Sequence, residues 1–157
     1  MRALTLHAPW AWAVCYLGKD IENRSWQPPA TMIGERIAIH AGSPSQWKPA
    51  VWLDVVDTAL LQSCDMVLKA MEFMSEDVNE RTERDRFCSS IVATAVIESV
   101  LPPQDTDAGW HVAGQYGWKL TDVQVLSQPV PIARGMLGLW NLTPEQEAAV
   151  VAAGRLQ

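Results

Sequence analysis

Glycine and proline divide the second half of the chain into short β-prone runs. The stretch 108–142, AGWHVAGQYGWKLTDVQVLSQPVPIARGMLGLWNL, alternates aromatic and branched residues with these two breakers. Such runs predict two or three strands joined by tight turns. Strands this short and this often interrupted do not suit a doubly wound parallel sheet, so a small barrel is the better prediction.

Further elements complete an α+β pattern. A short helix is predicted from Pro9 to Leu17, with Pro9 in its first turn and Gly18 just past its end. Another helix follows Thr143, which suits the N-cap position. Further strands are predicted in MRALTL, GERIAIHAG and SSIVATAVIESV. The chain is therefore expected to form a small mixed β-barrel with flanking helices.

The segment 45–88 has a different character and is predicted to be an acidic helical insertion in a single domain spanning 1–157. Pro49 opens a helical apolar stripe, and SEDVNERTERDR resembles a second, charged helix. Between Asp54 and Arg86 there are nine acids and four bases, a net charge of −5 out of −6 for the whole chain. No basic stripe remains for a long nucleic acid, so strong electrostatic binding of a duplex is not favoured.

Cysteine use and motif content exclude several classes of protein. The three cysteines are far apart and never form C-x-x-C, which argues against a zinc site or a disulfide framework. There is no P-loop, dinucleotide fingerprint, G-x-S-x-G or H-E-x-x-H, and we expect no metal and no cofactor. No apolar run approaches the roughly 20 residues that span a bilayer. His7 and Pro9 interrupt the N-terminal apolar run before it reaches signal-peptide length, so a cytoplasmic protein without a membrane partner is expected.

One charged cluster could do chemistry. GKDIENRSW places Lys19 three residues before Glu22, where the two can meet if the helix end persists. If the segment has become a strand, Glu22 shares a face with Arg24 and Trp26. A lysine beside a carboxylate and an aromatic ring could hold a planar polar ligand. Spacing alone favours the plainer alternative, a surface salt-bridge cluster, because exposed ion pairs are common.

Other candidates come from strand ends and from the aromatic composition. His40 closes the RIAIH strand and is as well explained by a core histidine as by a site residue. Glu98, in an otherwise apolar strand, either faces inward with a raised pKa or lies on the solvent face. The chain has eight Trp against two Tyr and two Phe. Trp suits stacking on flat ligands as well as core packing.

Four segments together resemble the ASCH domain family of the PUA-like superfamily: HAPWAWAVCYLGKDIENRSW, ERIAIHAG, IVATAVIESV and YGWKLTDVQVLSQPVPIARGMLGLWNL. The family's most specific element is Gly-x-Lys-x-x-Glu-x-Arg. Lys19, Glu22 and Arg24 match it, whereas Gly18 is adjacent to the lysine instead of one residue earlier. The resemblance implies a PUA-like β-barrel with a cleft lined by this motif and a ligand related to RNA or to a modified nucleobase.

Two functions are compatible with the resemblance. One branch of the family consists of amidohydrolases that deacylate N4-acetylcytidine with a lysine, a threonine three residues later as nucleophile and a distant glutamate. Lys19 matches that pattern, but Glu22 occupies the threonine position, so a covalent threonine mechanism does not carry over. The alternative is an RNA-associated module that binds or cleaves RNA or single-stranded nucleic acid without deacylase activity.

For the amidohydrolase, the expected ligand is a modified pyrimidine nucleoside or base. We expect Glu22 to activate water and Lys19 to stabilise the oxyanion or supply the proton. Arg24 and Ser25 would orient the site, and Ser25 or Ser43 could serve as a replacement nucleophile. The tryptophan expected to stack on the base is Trp10, Trp26 or Trp118.

Overall fold

The computed structural model describes residues 1–46, 48–60, 62–63, 65–68, 87–105 and 109–154. Six strands and three longer helices follow one another along this part of the chain. In order they are β1 Arg2–Leu6, α1 Ala8–Tyr16, β2 Ile21–Arg24, β3 Arg36–Ala41, α2 Pro49–Leu60, β4 Ser90–Leu101, β5 Tyr116–Pro131, β6 Leu139–Asn141 and α3 Pro144–Gly154. Two short 3₁₀ helices, Ala30–Met32 and Pro44–Gln46, lie in the connections.

The strands form one mixed sheet in the order β2-β5-β4-β3-β1-β6. Only β1 and β3 are parallel among the pairs, and the connection between them contains α1 and β2. The other neighbours are antiparallel. The predicted α+β fold is confirmed, and its sheet is a half-barrel with β2 and β6 at its two ends.

The sheet curls strongly, as one hydrogen bond shows. Nη2 of Arg24 on β2 donates to the backbone oxygen of Thr5 on β1 at 2.8 Å. These strands are first and fifth in the sheet order. In a flat sheet with strands about 4.8 Å apart, they would be separated by about 19 Å. The sheet must therefore bend back on itself to bring β2 beside β1.

β-Bulges between the two longest strands account for the bending. The β4–β5 pairing shifts register at three places: Ile91/Ala93, Thr94/Val96 and Ile97/Ser99. Each irregularity adds local twist and bends the strand. The expectation that all strands are short is therefore wrong for β4 and β5, which have 12 and 16 residues. β5 runs through Gly117 and Pro129, so these two residues do not end a strand, and the described part of 108–142 contains two strands, β5 and β6, as expected.

Apolar side chains cover both faces of the sheet. Leu4 and Ile37 pack in one cluster with residues of α1 and α2. Ala3 and Ala38, which alternate with them, pack in a second cluster with Val150 of α3. Thr143 caps α3 as predicted, since its Oγ1 accepts a hydrogen bond from the backbone N of Gln146 at 3.2 Å. Burial on both faces explains why β3 is almost continuously apolar.

The first helix of the predicted insertion is present as α2. Trp52 of α2 packs against Trp12 of α1, with ring centroids 5.3 Å apart. This contact packs α2 against α1. The second predicted helix, in SEDVNERTERDR, lies outside the described residues. Glu98 is on the solvent face of β4, which decides between the two positions expected for it.

Candidate functional site

A glycine turn between α1 and β2 sets the position of Lys19. Gly18 has a φ of +65°, a left-handed conformation that glycine adopts without steric cost. The turn lets the backbone N of Lys19 donate to the oxygen of Ala13 at 3.2 Å, which closes the C-terminus of α1. The lysine side chain then returns into the protein, and only 3% of Lys19 is exposed.

Lys19, Glu22 and Arg24 form an ion-pair cluster in which Lys19 and Glu22 are buried and Arg24 is partly exposed. Nζ of Lys19 lies 2.9 Å from Oε2 of Glu22, and Nη2 of Arg24 lies 3.0 Å from Oε1 of the same carboxylate. Glu22 is only 7% exposed. The surface salt-bridge cluster favoured by spacing alone is therefore wrong, because the curl of the sheet buries this strand. A buried charged group is costly unless it is paired, and here one carboxylate pairs with two cations.

One N–H group of the Lys19 ammonium has no hydrogen-bond acceptor among the described residues. An ammonium has three N–H groups. Within the described part of the chain, one bonds the backbone oxygen of Ile21 and a second bonds Glu22. The third is available to a ligand, and Nζ also lies 5.7 Å from the ring centroid of Trp10. The Lys19 ammonium therefore lies beside the Trp10 ring and can donate one hydrogen bond to a ligand.

A cavity of about 310 Å³ opens over this cluster. Its size is at the lower end of the range of roughly 300 to 1,000 Å³ typical of small-molecule sites. Among the described residues, the charged members of its lining are the three residues of the cluster, which together carry a formal charge of +1. The remaining lining residues are Thr5, His7, Trp10, Asn23, Thr58, Trp110, Val112 and Gln115.

Among the described residues, the walls of the cavity come from the segments 5–10, 19–24 and 110–115 and from α2. Thr5 and Trp10 belong to β1 and α1, and Thr58 to α2. Trp110 and Val112 belong to the loop 109–115 that precedes β5. Trp110 was not singled out by sequence reasoning, since one tryptophan in a loop carries no pattern. The cavity is therefore a product of the tertiary fold more than of the motif.

Asn23 is a further lining residue that the sequence did not reveal. Its Nδ2 donates to the oxygen of Trp110 at 2.8 Å, and its Oδ1 accepts from the backbone N of Val112 at 2.8 Å. The partners are 87 and 89 residues away along the chain. No local pattern contains such a contact. The side chain thereby joins β2 to the loop 109–115.

Several predicted site residues lie elsewhere. Trp118 has no exposed surface, and its Nε1 donates to the oxygen of Trp26 at 3.1 Å. The two indoles meet edge to face with centroids 4.7 Å apart. Neither lines the cavity, and the burial of Trp118 leaves it no face for stacking on a base. Ser25 and Ser43 are exposed and outside the lining as well.

His40 is a buried structural residue and does not line the cavity. Its Nε2 lies 3.0 Å from the oxygen of Ile132, and its ring packs edge to face on Trp140 at 5.8 Å. Burial lowers the pKa of His40 below its ordinary value, with the bond to Ile132 acting in the opposite direction. The neutral imidazole is thus favoured at neutral pH. The interpretation as a core histidine agrees with this position.

Cys15 does not offer a nucleophile to this site. Burial raises the pKa of the Cys15 thiol to about 12, and Cys15 is not part of the cavity lining. The thiolate is the reactive form of cysteine, so this side chain is inert. Within the described ranges, no three His, Cys, Asp or Glu side chains are grouped so that they could hold a metal ion. None of the helices described there has the length and apolar character needed to cross a membrane.

Three solved structures with this fold are ASCH domain structures. The chain superimposes on the ASCH protein of Zymomonas mobilis with a TM-score of 0.51 at 14% identity, covering 96% of this chain and 93% of that one. Two single-substitution variants of that protein match similarly, with TM-scores of 0.52 and 0.51 at 13% and 14% identity. The matches cover 96% of this chain in both cases, and 96% and 94% of the variants. The resemblance to ASCH domains is therefore confirmed for the fold.

Comparisons of sequence alone add no relative. No protein-family model matches the chain. No curated protein matches it significantly.

Proposed function

We propose that this protein is an amidohydrolase that removes the N4-acyl group from a modified cytosine or cytidine. The observation that carries the proposal is the buried Lys19–Glu22 pair, with a Nζ–Oε2 distance of 2.9 Å, beneath a cavity of about 310 Å³. A carboxylate and an ammonium held together at the floor of a cavity can supply the base and the electrostatic stabilisation that amide hydrolysis requires. The ASCH fold supports a nucleoside-related ligand.

In the first step, the Glu22 carboxylate accepts a proton from a water molecule as the water oxygen attacks the acyl carbon. A C–O bond forms, and the carbonyl π electrons move onto the oxygen. The spare N–H of the Lys19 ammonium stabilises the resulting oxyanion. Lys19 remains protonated throughout, so its positive charge faces the developing negative charge.

In the second step, the tetrahedral intermediate collapses and the bond between the acyl carbon and N4 breaks. Glu22 returns its proton to N4, which leaves as the exocyclic amine of cytosine. The other product is the carboxylic acid that contains the oxygen of the water. The Glu22 carboxylate is thereby restored, and no covalent bond to the enzyme forms. This agrees with the absence of threonine at position 22.

The aromatic walls are suited to hold the base. Trp10 lines the cavity and lies beside the Lys19 ammonium. Trp110 lines it as well. Stacking of a base on an aromatic side chain contributes about 1 to 3 kcal/mol, enough to hold a base that lacks a charged group. Arg24 supports Glu22 through its 3.0 Å contact and so helps to orient the carboxylate.

Release of cytidine from N4-acetylcytidine, followed by absorbance, tests the proposal. We expect the Glu22→Gln variant to lose at least about 100-fold in kcat, the usual contribution of a positioned general base. Lys19→Met should lose a similar factor, because it removes the charge opposite the oxyanion. Glu98→Gln is the matched control, since Glu98 is an exposed carboxylate on β4, and it should keep wild-type activity.

Full deacylase activity in Lys19→Met or Glu22→Gln would contradict the assignment. A wild-type protein that binds RNA oligomers with a steep salt dependence, and turns over no acylated cytidine, would instead identify the chain as an RNA-associated module. An amidohydrolase releases cytidine from N4-acetylcytidine, whereas an RNA-associated module binds RNA oligomers and releases no cytidine.

A further inference from the structure

We infer that Asn23 is a positioning residue of this site, and that its side chain holds the loop 109–115 in place as a wall of the cavity. The inference rests on the proposed function for its kinetic consequences, whereas its structural part stands on contacts alone. Asn23 lies between Glu22 and Arg24 in β2, so the residue that fixes the wall and the residues that carry the charges share one strand.

The contact of Asn23 with the loop resembles the pairing of a strand. Its amide donates to the oxygen of Trp110 and accepts from the N of Val112, both at 2.8 Å. A donor and an acceptor that engage alternate residues reproduce the pattern that a neighbouring backbone would offer. Asparagine is the shortest side chain that can provide both groups in one plane. The two bonds together fix the loop in distance and in register.

Trp110 packs in the main apolar cluster and is only 4% exposed, whereas the other hydrogen bonds of the loop among the described residues reach only nearby parts of the chain. The backbone N of Gly114 donates to the oxygen of Pro103 at 2.8 Å, and Nε2 of His111 lies 2.8 Å from the oxygen of Gln115. Both contacts hold the loop to its own neighbourhood in the chain. Asn23 is the described residue whose hydrogen bonds tie Trp110 and Val112 to the strand that carries the charges.

The far side of the loop is held by close packing. A Cβ atom on Gly109 would come within 2.6 Å of Oε1 of Gln62, at the turn after α2. The loop therefore lies between the turn after α2 and β2, with little space on the α2 side. Because the α2 side is closed, the Asn23 bonds set the distance and register of the loop relative to β2, and their loss would leave this wall of the cavity without a fixed position.

The effect on catalysis follows from what the loop contributes. Trp110 and Val112 line the cavity, and the reacting groups Lys19 and Glu22 belong to a different segment. Displacing the wall weakens binding of substrate and transition state alike, which raises KM and leaves kcat almost unchanged. A residue needed only for folding would lower the amount of active enzyme and would not produce this split.

The Asn23→Ala variant tests the inference against Asn141→Ala. Asn141 is an exposed asparagine on β6, at the other end of the sheet. For Asn23→Ala we expect KM for N4-acetylcytidine to rise about tenfold, equivalent to about 1.4 kcal/mol, with kcat within about twofold of wild type. Asn141→Ala should match the wild type in both constants. Asn23→Asp keeps the acceptor for Val112 and serves as a second variant if the alanine protein does not fold.

Amide hydrogen exchange gives a readout that does not require activity. The N–H of Val112 should exchange at least about tenfold faster in Asn23→Ala, and the protection should return in Asn23→Asp. Unchanged exchange at Val112 in Asn23→Ala would overturn the inference, whether or not the protein is an amidohydrolase. An unchanged KM with faster exchange would overturn the positioning role. If the wild-type protein turns over no N4-acetylcytidine, the proposed function is refuted. Hydrogen exchange at Val112 then tests whether Asn23 holds the loop 109–115.

Discussion

The Nζ atom of Lys19 lies 2.9 Å from Oε2 of Glu22, with 3% and 10% of the two side chains exposed. The second carboxylate oxygen of Glu22 is occupied by Arg24. The anion is therefore shared between two cations, and the three residues do not contribute symmetrically to stability. Removing the shared anion and removing one of the cations should have different consequences.

Replacing Glu22 with leucine should destabilise the fold more than replacing Lys19 with methionine. Glu22→Leu leaves two cations without their counter-ion, and breaking a buried pair in this way typically costs about 3 to 5 kcal/mol. Lys19→Met leaves the pair of Glu22 and Arg24 intact and should cost about 1 to 3 kcal/mol, the usual penalty for a lost buried hydrogen bond. Urea unfolding at constant m-value measures both. Equal losses would show that Arg24 does not compensate Glu22.

Substitutions of Gly18 should lower the free energy of unfolding only through the backbone conformation of the turn. A Cβ at Gly18 meets no atom within 4 Å, so Gly18→Ala is opposed only by its φ of +65° and should cost about 1 to 2 kcal/mol. Gly18→Asn should cost less, because asparagine tolerates this conformation. Gly154→Ala is the matched control, since Gly154 lies in α3 without a left-handed φ and its Cβ would stand 3.8 Å from Leu126.

Chemical denaturation of the three glycine variants gives the comparison directly. We expect Gly154→Ala to stabilise the protein by about 0.5 kcal/mol, since alanine is the better helix former. A loss at Gly154 as large as that at Gly18 would mean that the left-handed turn has no special role.

The stability of the protein should fall as the pH drops below about 6.5, and His40 should be a cause of this fall. Because burial lowers the pKa of folded His40, the unfolded state binds a proton at a higher pH than the folded state. The contribution of His40 is thus fully present above the unfolded pKa and is lost as the pH falls towards the folded one.

Unfolding free energies measured from pH 7.5 to 5 in wild type and in His40→Leu provide the test. The variant should have a smaller slope of stability against pH in this range, even though the loss of the bond to Ile132 lowers its stability overall. Asn141→Ala is the control, because Asn141 is exposed and has no titratable group, and it should keep the wild-type slope. Parallel slopes in His40→Leu and wild type would remove His40 as the cause.

Local chemistry in the sequence predicts the elements around the site well. Pro9 and Gly18 delimit α1 because each acts through its own backbone, by a missing N–H and by a permitted left-handed φ. Thr143 likewise caps α3 with its own hydroxyl. The spacing of Lys19 and Glu22 predicts their contact, which the structure confirms. These features depend on interactions within a few residues, so the sequence contains them.

Burial and long-range contacts cannot be predicted from local sequence. The ion-pair cluster is buried because the half-barrel curls, and the curl depends on bulges between β4 and β5 that no periodicity indicates. Trp10 and Trp118 have equal stacking potential in the sequence, yet only Trp10 reaches the cavity. Asn23 binds a loop 87 residues away. Such assignments need the relative positions of distant segments.

The bond from Arg24 to the oxygen of Thr5 joins an end strand of the sheet to its fifth strand. The cavity lies at this junction, and its lining includes residues of β1, β2 and the loop before β5. A ligand bound there contacts β1, β2 and the loop before β5 together, and so connects the two sides of the half-barrel. Its binding energy adds to the resistance of the whole sheet against uncurling, so occupancy of one small cavity is coupled to the stability of strands that never touch the ligand.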